Sequence, residues 1–218
     1  MVTTPLEDSR SAQTRSAQAS TRARLGANLR TLLSWFREDN FSASPLRRAP
    51  YFLVAAILAA AHLACTKIGW LLIAGGAQVT PVWPEAGFDI VAILLFGTRY
   101  WPVLLAANFV GILQDGIPWL PSAGAAVAAM GRAMAGVWVY SAVTKLRSWV
   151  GHFLDLAAVA LASVIAPIVS TIIGTTVFLL TNVFPPGEHW QDVAGRYWVS
   201  DSLGIITVMP VLLALARA

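Results

Sequence analysis

Four ionisable side chains sit inside stretches that are otherwise apolar. Glu85 and Asp89 are four apart and so share one face of a helix. Arg132 lies in the run AAMGRAMAG, and Asp201 follows YWVS in the last apolar stretch. On insertion scales an ionisable group at mid-bilayer costs roughly 2.5–3.5 kcal/mol, so such groups turn inward, pair, and mark functional sites. One arginine with three acids predicts a buried charged cluster in which Arg132 pairs with Glu85, Asp89 or Asp201. Glu85 follows Pro84 in the first turn of its segment, where the helix dipole favours an anion. Asn108 is placed to hydrogen-bond across helices from the third segment. Two roles stay open for this set: contact with a ligand, or a static ion pair that fixes the geometry of a bundle.

Other polar residues carry weaker signals. Gly124, Ala125, Ala128, Ala129, Gly131, Ala135 and Gly136 surround Arg132 and favour close helix approach. Ser163, Ser170, Thr171, Thr175 and Thr176 are expected to bond across helices, with Pro167 kinking their segment. His62 and Cys65 share a helix face, but two ligands are a poor metal site and a buried thiol is usually a small hydrophobe; no metal is assigned. Glu188, His189 and Asp192 read as a solvated loop rather than a proton or cation sensor. None of GxxxxGK[ST], GxGxxG after a strand, HExxH or GxSxG occurs. The chain is therefore not read as an enzyme, and no cofactor is implied.

The elements that must position these residues follow from composition. Of the 218 residues 57% are apolar and only 12% charged, against about 45–50% and about 25% in water-soluble domains. One cysteine excludes an internal disulfide framework. Apolar runs of about 20 residues cross a bilayer core of about 30 Å. Six occur, at 51–74, 81–97, 100–114, 121–143, 154–182 and 197–216. The second and third are short, each with a proline after a tryptophan at its start. Pro84 to Phe96 gives about 20 Å of helix at 1.5 Å per residue, too little for the core, so the pair reads as broken or re-entrant helices beside a cavity. The expected fold is an all-α polytopic bundle of about six transmembrane helices.

Lysine and arginine mark the cytoplasmic side. Arg99, Lys145 with Arg147, and Arg217 follow the second, fourth and sixth segments. With the amino-terminal arm inside, twelve of the fifteen basic residues are inside, Lys67 and Arg196 are outside, and Arg132 is within a span. Both termini are thus expected in the cytoplasm. Trp83, Trp101, Trp119, Trp149, Trp190 and Trp198 fall near segment ends, as an aromatic belt requires. Residues 1–24 are a basic, Ser- and Ala-rich arm expected to be disordered. Residues 25–48 hold an amphipathic stretch, LGANLRTLLSWFR, and a linker. The stretch suits an anionic lipid surface or a plain surface helix. No folded reader accompanies the arm, so nucleic acid is not an expected partner.

Residues 81–102, PVWPEAGFDIVAILLFGTRYWP, resemble the MASE1 family, the membrane-associated sensor domains of bacterial signalling proteins. That family shows Trp-Pro-x-x-Gly, an aliphatic stretch, then Gly-x-Arg-x-Trp-Pro. Here these are Trp83, Pro84, Gly87, Gly97, Arg99, Trp101 and Pro102. GRAMAGVWVY resembles a second block, with Arg132 where asparagine is common. The final apolar stretch resembles the family's ending at Trp198, Asp201, Gly204 and Pro210, and STIIGTT is a looser match. The resemblance spans about residues 51–216. It implies a multi-pass sensory module of the bacterial inner membrane that signals to a histidine kinase or diguanylate cyclase, fused or separate. Self-association of two copies stays open. Family members commonly have about eight spans rather than six, and no output domain follows Arg217, so the chain is read as a piece of a longer protein or a module acting through a partner. A small substrate-binding transport subunit is the alternative. A bare membrane anchor fits less well, because it has no need of embedded charges.

Overall fold

A computed structural model describes residues 50–73, 80–144, 153–183, 187 and 189–216. The arm and amphipathic stretch before Pro50, the Lys145/Arg147 pair, Trp149, Glu188 and Arg217 lie outside the described residues. The described residues form six α-helices and no strand: α1 Tyr51–Leu71, α2 Pro84–Phe96, α3 Trp101–Gln114, α4 Trp119–Thr144, α5 Phe153–Leu180 and α6 Trp190–Leu215. Four of them, α1, α4, α5 and α6, are long and apolar enough to cross a membrane.

The distribution of side chains is the reverse of a water-soluble bundle. Phe52, Leu71, Leu156, Ile172, Leu180 and Val211 are exposed, whereas His62, Glu85, Asp89, Asn108, Arg132 and Asp201 are buried. A lipid tail is as apolar as leucine, so aliphatic side chains lose nothing by facing outward, while polar groups must find partners inside. The chain is a multi-pass membrane protein.

The short helices are explained by their place. α2 has ten of its thirteen residues buried and packs against α1, α4 and α6. A helix enclosed by protein need not match the thickness of the bilayer, so 13 residues suffice. Pro84 supplies the first turn, where a missing N–H costs nothing. α3 likewise begins with a proline in its first turn and lies against α1 and α4.

The turn between α2 and α3 accounts for much of the Gly-x-Arg-x-Trp-Pro pattern. Gly97 N donates to Ile93 O (2.9 Å) and closes α2. Its backbone then takes φ 94°, ψ 162°, a region open essentially to glycine alone. One 3-10 turn, Thr98–Tyr100, follows. Tyr100 is fully buried, stacked on Tyr51 of α1 at 4.9 Å and met edge-on by Phe96. The Arg99 guanidinium lies 4.9 Å over the Tyr100 ring, and its Nη2 donates to the phenol oxygen (3.1 Å). Replacing Gly97 with alanine is expected to cost about 1–3 kcal/mol through strained backbone, read as a lower melting temperature in detergent. Unchanged melting would show that the turn relaxes at no cost.

The sixth segment corrects an expected boundary. α6 begins at Trp190, not near residue 197. Asp192 therefore sits in its first turn rather than in a loop, and His189 is the residue preceding it. Trp198 is not at a helix end: its indole Nε1 donates to Val164 O on α5 (3.1 Å). Asp201, expected one turn into the span, lies eleven residues past Trp190, roughly 16 Å along the axis.

Candidate functional site

Each of the six helices contributes one side chain to a single buried network. Asp89 of α2 is its centre. His62 of α1 donates from Nδ1 to Asp89 Oδ1 (2.9 Å). Asn108 of α3 donates from Nδ2 to Asp89 Oδ2 (3.1 Å) and also to its own helix at Leu104 O (3.0 Å). Arg132 of α4 places Nη2 3.7 Å from Asp89 Oδ2 and donates from Nη1 to Asp201 Oδ1 of α6 (2.6 Å). Ser170 of α5 donates to the other oxygen, Asp201 Oδ2 (2.6 Å). His62, Asp89, Arg132 and Asp201 are each at most 3% exposed.

Charge-assisted bonds of this kind are short and strong, and the low dielectric around them amplifies both the bond and the penalty for losing a partner. The network thus ties six helices that have only weak apolar reasons to choose one register in lipid. Arg132 stands thirteen residues past Trp119, near the middle of the 26-residue α4. Glycines along the same helix let its neighbours come close: a Cβ on Gly131 would press on Val169, one on Gly124 would strike Val177, and one on Gly136 would strike Ile90.

Of the residues singled out from sequence, Asp89, Asn108, Arg132 and Asp201 are brought together. Glu85 is not joined to them by a hydrogen bond; its Oε2 is buried without a hydrogen-bond partner among the described residues. Spacing sets His62 beside Cys65, whereas its partner in the structure is Asp89. The signal available was its type: a histidine in an apolar span needs a partner. Ser170 does bond across helices, but Ser163, Thr175 and Thr176 bond back to carbonyls three or four residues earlier in α5. In an apolar setting that is the nearest acceptor, and taking it leaves no hydroxyl proton for a neighbour.

Beside the network lies a cavity of about 230 Å³. Arg132, Asp201, Ser170 and Asn108 of the network line it, together with Glu85, Trp70, Trp83 and Asp115. Asp115 is held by the Trp70 indole (2.8 Å) and Lys67 (3.4 Å). The motif residues around Glu85 are structural. Trp83 N donates to Ser200 O on α6 (3.2 Å), and Ser200 Oγ donates to Thr80 O (2.7 Å), so the strand of chain entering α2 is bolted to α6. One turn further along, Gly87 and Gly204 let the two backbones touch.

No curated protein and no solved structure matches the chain. The MASE1 family profile does, across residues 32–218, which takes in every element described above. With a match over most of its length, and with polar groups turned inward and apolar ones outward, the chain belongs to the MASE1 family of membrane-associated sensory domains.

Proposed function

We propose that this chain is a sensory input module of the bacterial inner membrane that passes its signal to a histidine kinase or diguanylate cyclase, fused or separate, and catalyses nothing itself. Both termini are cytoplasmic in this reading. The basic residues at 99, 145, 147 and 217 support that orientation.

The observation that carries the reading is the one-from-each-helix network around Asp89 and Arg132. A stimulus that re-pairs any member shifts the relative positions of several helices at once, and α6 holds both Asp201 and the carboxy-terminal end of the bundle. Such a stimulus acts only by the difference in its affinity for two packings.

A diguanylate cyclase domain joined after Ala218 provides the test, with cellular cyclic dinucleotide as readout. Asp201→Asn and Asp89→Asn, each isosteric, are expected to change output by about fivefold or more at matched membrane abundance, the lower end of ordinary coupling energies. Output identical to wild type in both variants would remove the network from signalling.

A further inference from the structure

The cavity beside the network holds a carboxyl group with one oxygen left over. Glu85 is 2% exposed and its Oε2 has no hydrogen-bond partner among the described residues. The other acids of the wall are occupied: Asp201 by Arg132 and Ser170, Asp115 by Lys67 and Trp70. Arg132 keeps two unbonded donors, Nε and Nη2, yet it already stands against two carboxylates. Arg196 also lines the cavity but has an interaction of its own, and an anionic ligand would lie among three lining carboxyl groups, Glu85, Asp115 and Asp201. A cation answers Glu85, and a neutral acceptor on the same molecule could take the spare Arg132 donor.

The remaining wall chooses among cations. Ile112, Ala125, Phe178 and Val193 are apolar, and the Trp70 and Trp83 rings meet edge to face, centroids 6.0 Å apart. Apolar and aromatic walls suit an organic ammonium and give a hydrated metal ion too few oxygens. The volume of about 230 Å³ falls below the about 300–1,000 Å³ of drug-sized sites, which limits the ligand to about ten non-hydrogen atoms.

We propose that this cavity binds a small organic monoammonium ion, its nitrogen on Glu85 and its apolar body between Phe178, Val193 and the Trp70–Trp83 pair. Its role as a stimulus rests on the sensory reading above; its existence as a site does not.

The test titrates three probes of matched size into the full chain in lipid nanodiscs, with empty nanodiscs as blank and calorimetry as readout. They are 2-phenylethylammonium, 2-phenylethanol and phenylacetate. The ammonium is expected to bind about tenfold or more tightly than the alcohol, and the carboxylate to show no saturable binding. Glu85→Gln should bring the ammonium down to the level of the alcohol. Ala129→Leu, which fills the cavity and leaves the charges alone, should weaken both. An alcohol that binds as well as the ammonium would mean that Glu85 is a neutral donor, and would overturn the proposal. So would saturable binding of the carboxylate, absence of ammonium binding, or ammonium affinity unchanged in Ala129→Leu. In the cyclase fusion, ammonium binding without a change in output keeps the site and sinks the sensory reading. Output that responds to Asp201→Asn without any ammonium binding does the reverse.

Discussion

Arg132→Ala is expected to lower the stability of the bundle by about 3–5 kcal/mol, the usual cost of stranding the partner of a buried ion pair. The guanidinium is what neutralises Asp201 at 2.6 Å, and it faces Asp89 at 3.7 Å. Without it two carboxylates remain at 3% and 0% exposure. Asp89 keeps His62 and Asn108, but among the described residues Asp201 keeps only the Ser170 hydroxyl as a hydrogen-bond donor. The worse-stranded group is therefore Asp201, which fixes the rescue: Asp201→Asn added to Arg132→Ala should recover part of the loss, and Asp89→Asn should recover less. Membrane abundance and thermal unfolding in detergent measure both. A neutral amide at 201 still accepts from Ser170, so what the double variant fails to recover is the void left by the arginine side chain. Wild-type melting of Arg132→Ala on its own, at wild-type abundance, would mean that the acids do without the guanidinium.

Much of this site was legible in the sequence because a membrane makes polar residues conspicuous. Arg132, Asp89 and Asp201 stand out against apolar neighbours, and their cost in lipid requires that they meet. The shortness of α2 and α3 was likewise readable, from Pro84 and Pro102 and from counting residues against bilayer thickness. What could not be read was direction. α1 is apolar on nearly every face, so no stripe shows which way His62 turns, and spacing paired it with Cys65 instead. Glu85 and Asp89 share a face by spacing, yet only Asp89 reaches Arg132, because α2 starts at Pro84 and leaves Glu85 in the first turn beside the cavity. The start of α6 was misplaced for a related reason. Glu188, Asp192 and Arg196 look like loop in a hydropathy count, but Asp192 is a favourable first-turn anion, and the helix extends through it.

The glycines of the resemblance were visible as a pattern, and the structure supplies their cause, which yields the second large effect. A Cβ on Gly204 would run into the Trp83 carbonyl, and one on Gly87 would sit 2.7 Å from Gly204 O. In both cases the obstacle is backbone, which no rotamer change can move. Gly204→Ala must therefore push α2 away from α6 or break the bond between Trp83 N and Ser200 O. Overpacking costs typically about 1–3 kcal/mol when side chains can yield, so Gly204→Ala is expected at the top of that range or above it. Two other helical glycines separate this cause from a general effect of substitution. A Cβ on Gly174 meets only Ala128, at 3.8 Å, and one on Gly195 meets nothing. Gly195→Ala should stabilise by about 0.5–1 kcal/mol through helix propensity, and Gly174→Ala should be no worse than neutral. The expected order of melting temperatures is thus Gly195→Ala above wild type, Gly174→Ala at or above it, and Gly204→Ala well below. Because Trp83 and Glu85 flank the turn that would shift, Gly204→Ala should also blunt the preference of the cavity for an ammonium ion over an alcohol, whereas Gly195→Ala should preserve it. A Gly204→Ala variant that melts with wild type would show that the two backbones are not in contact and that the glycine is there for another reason.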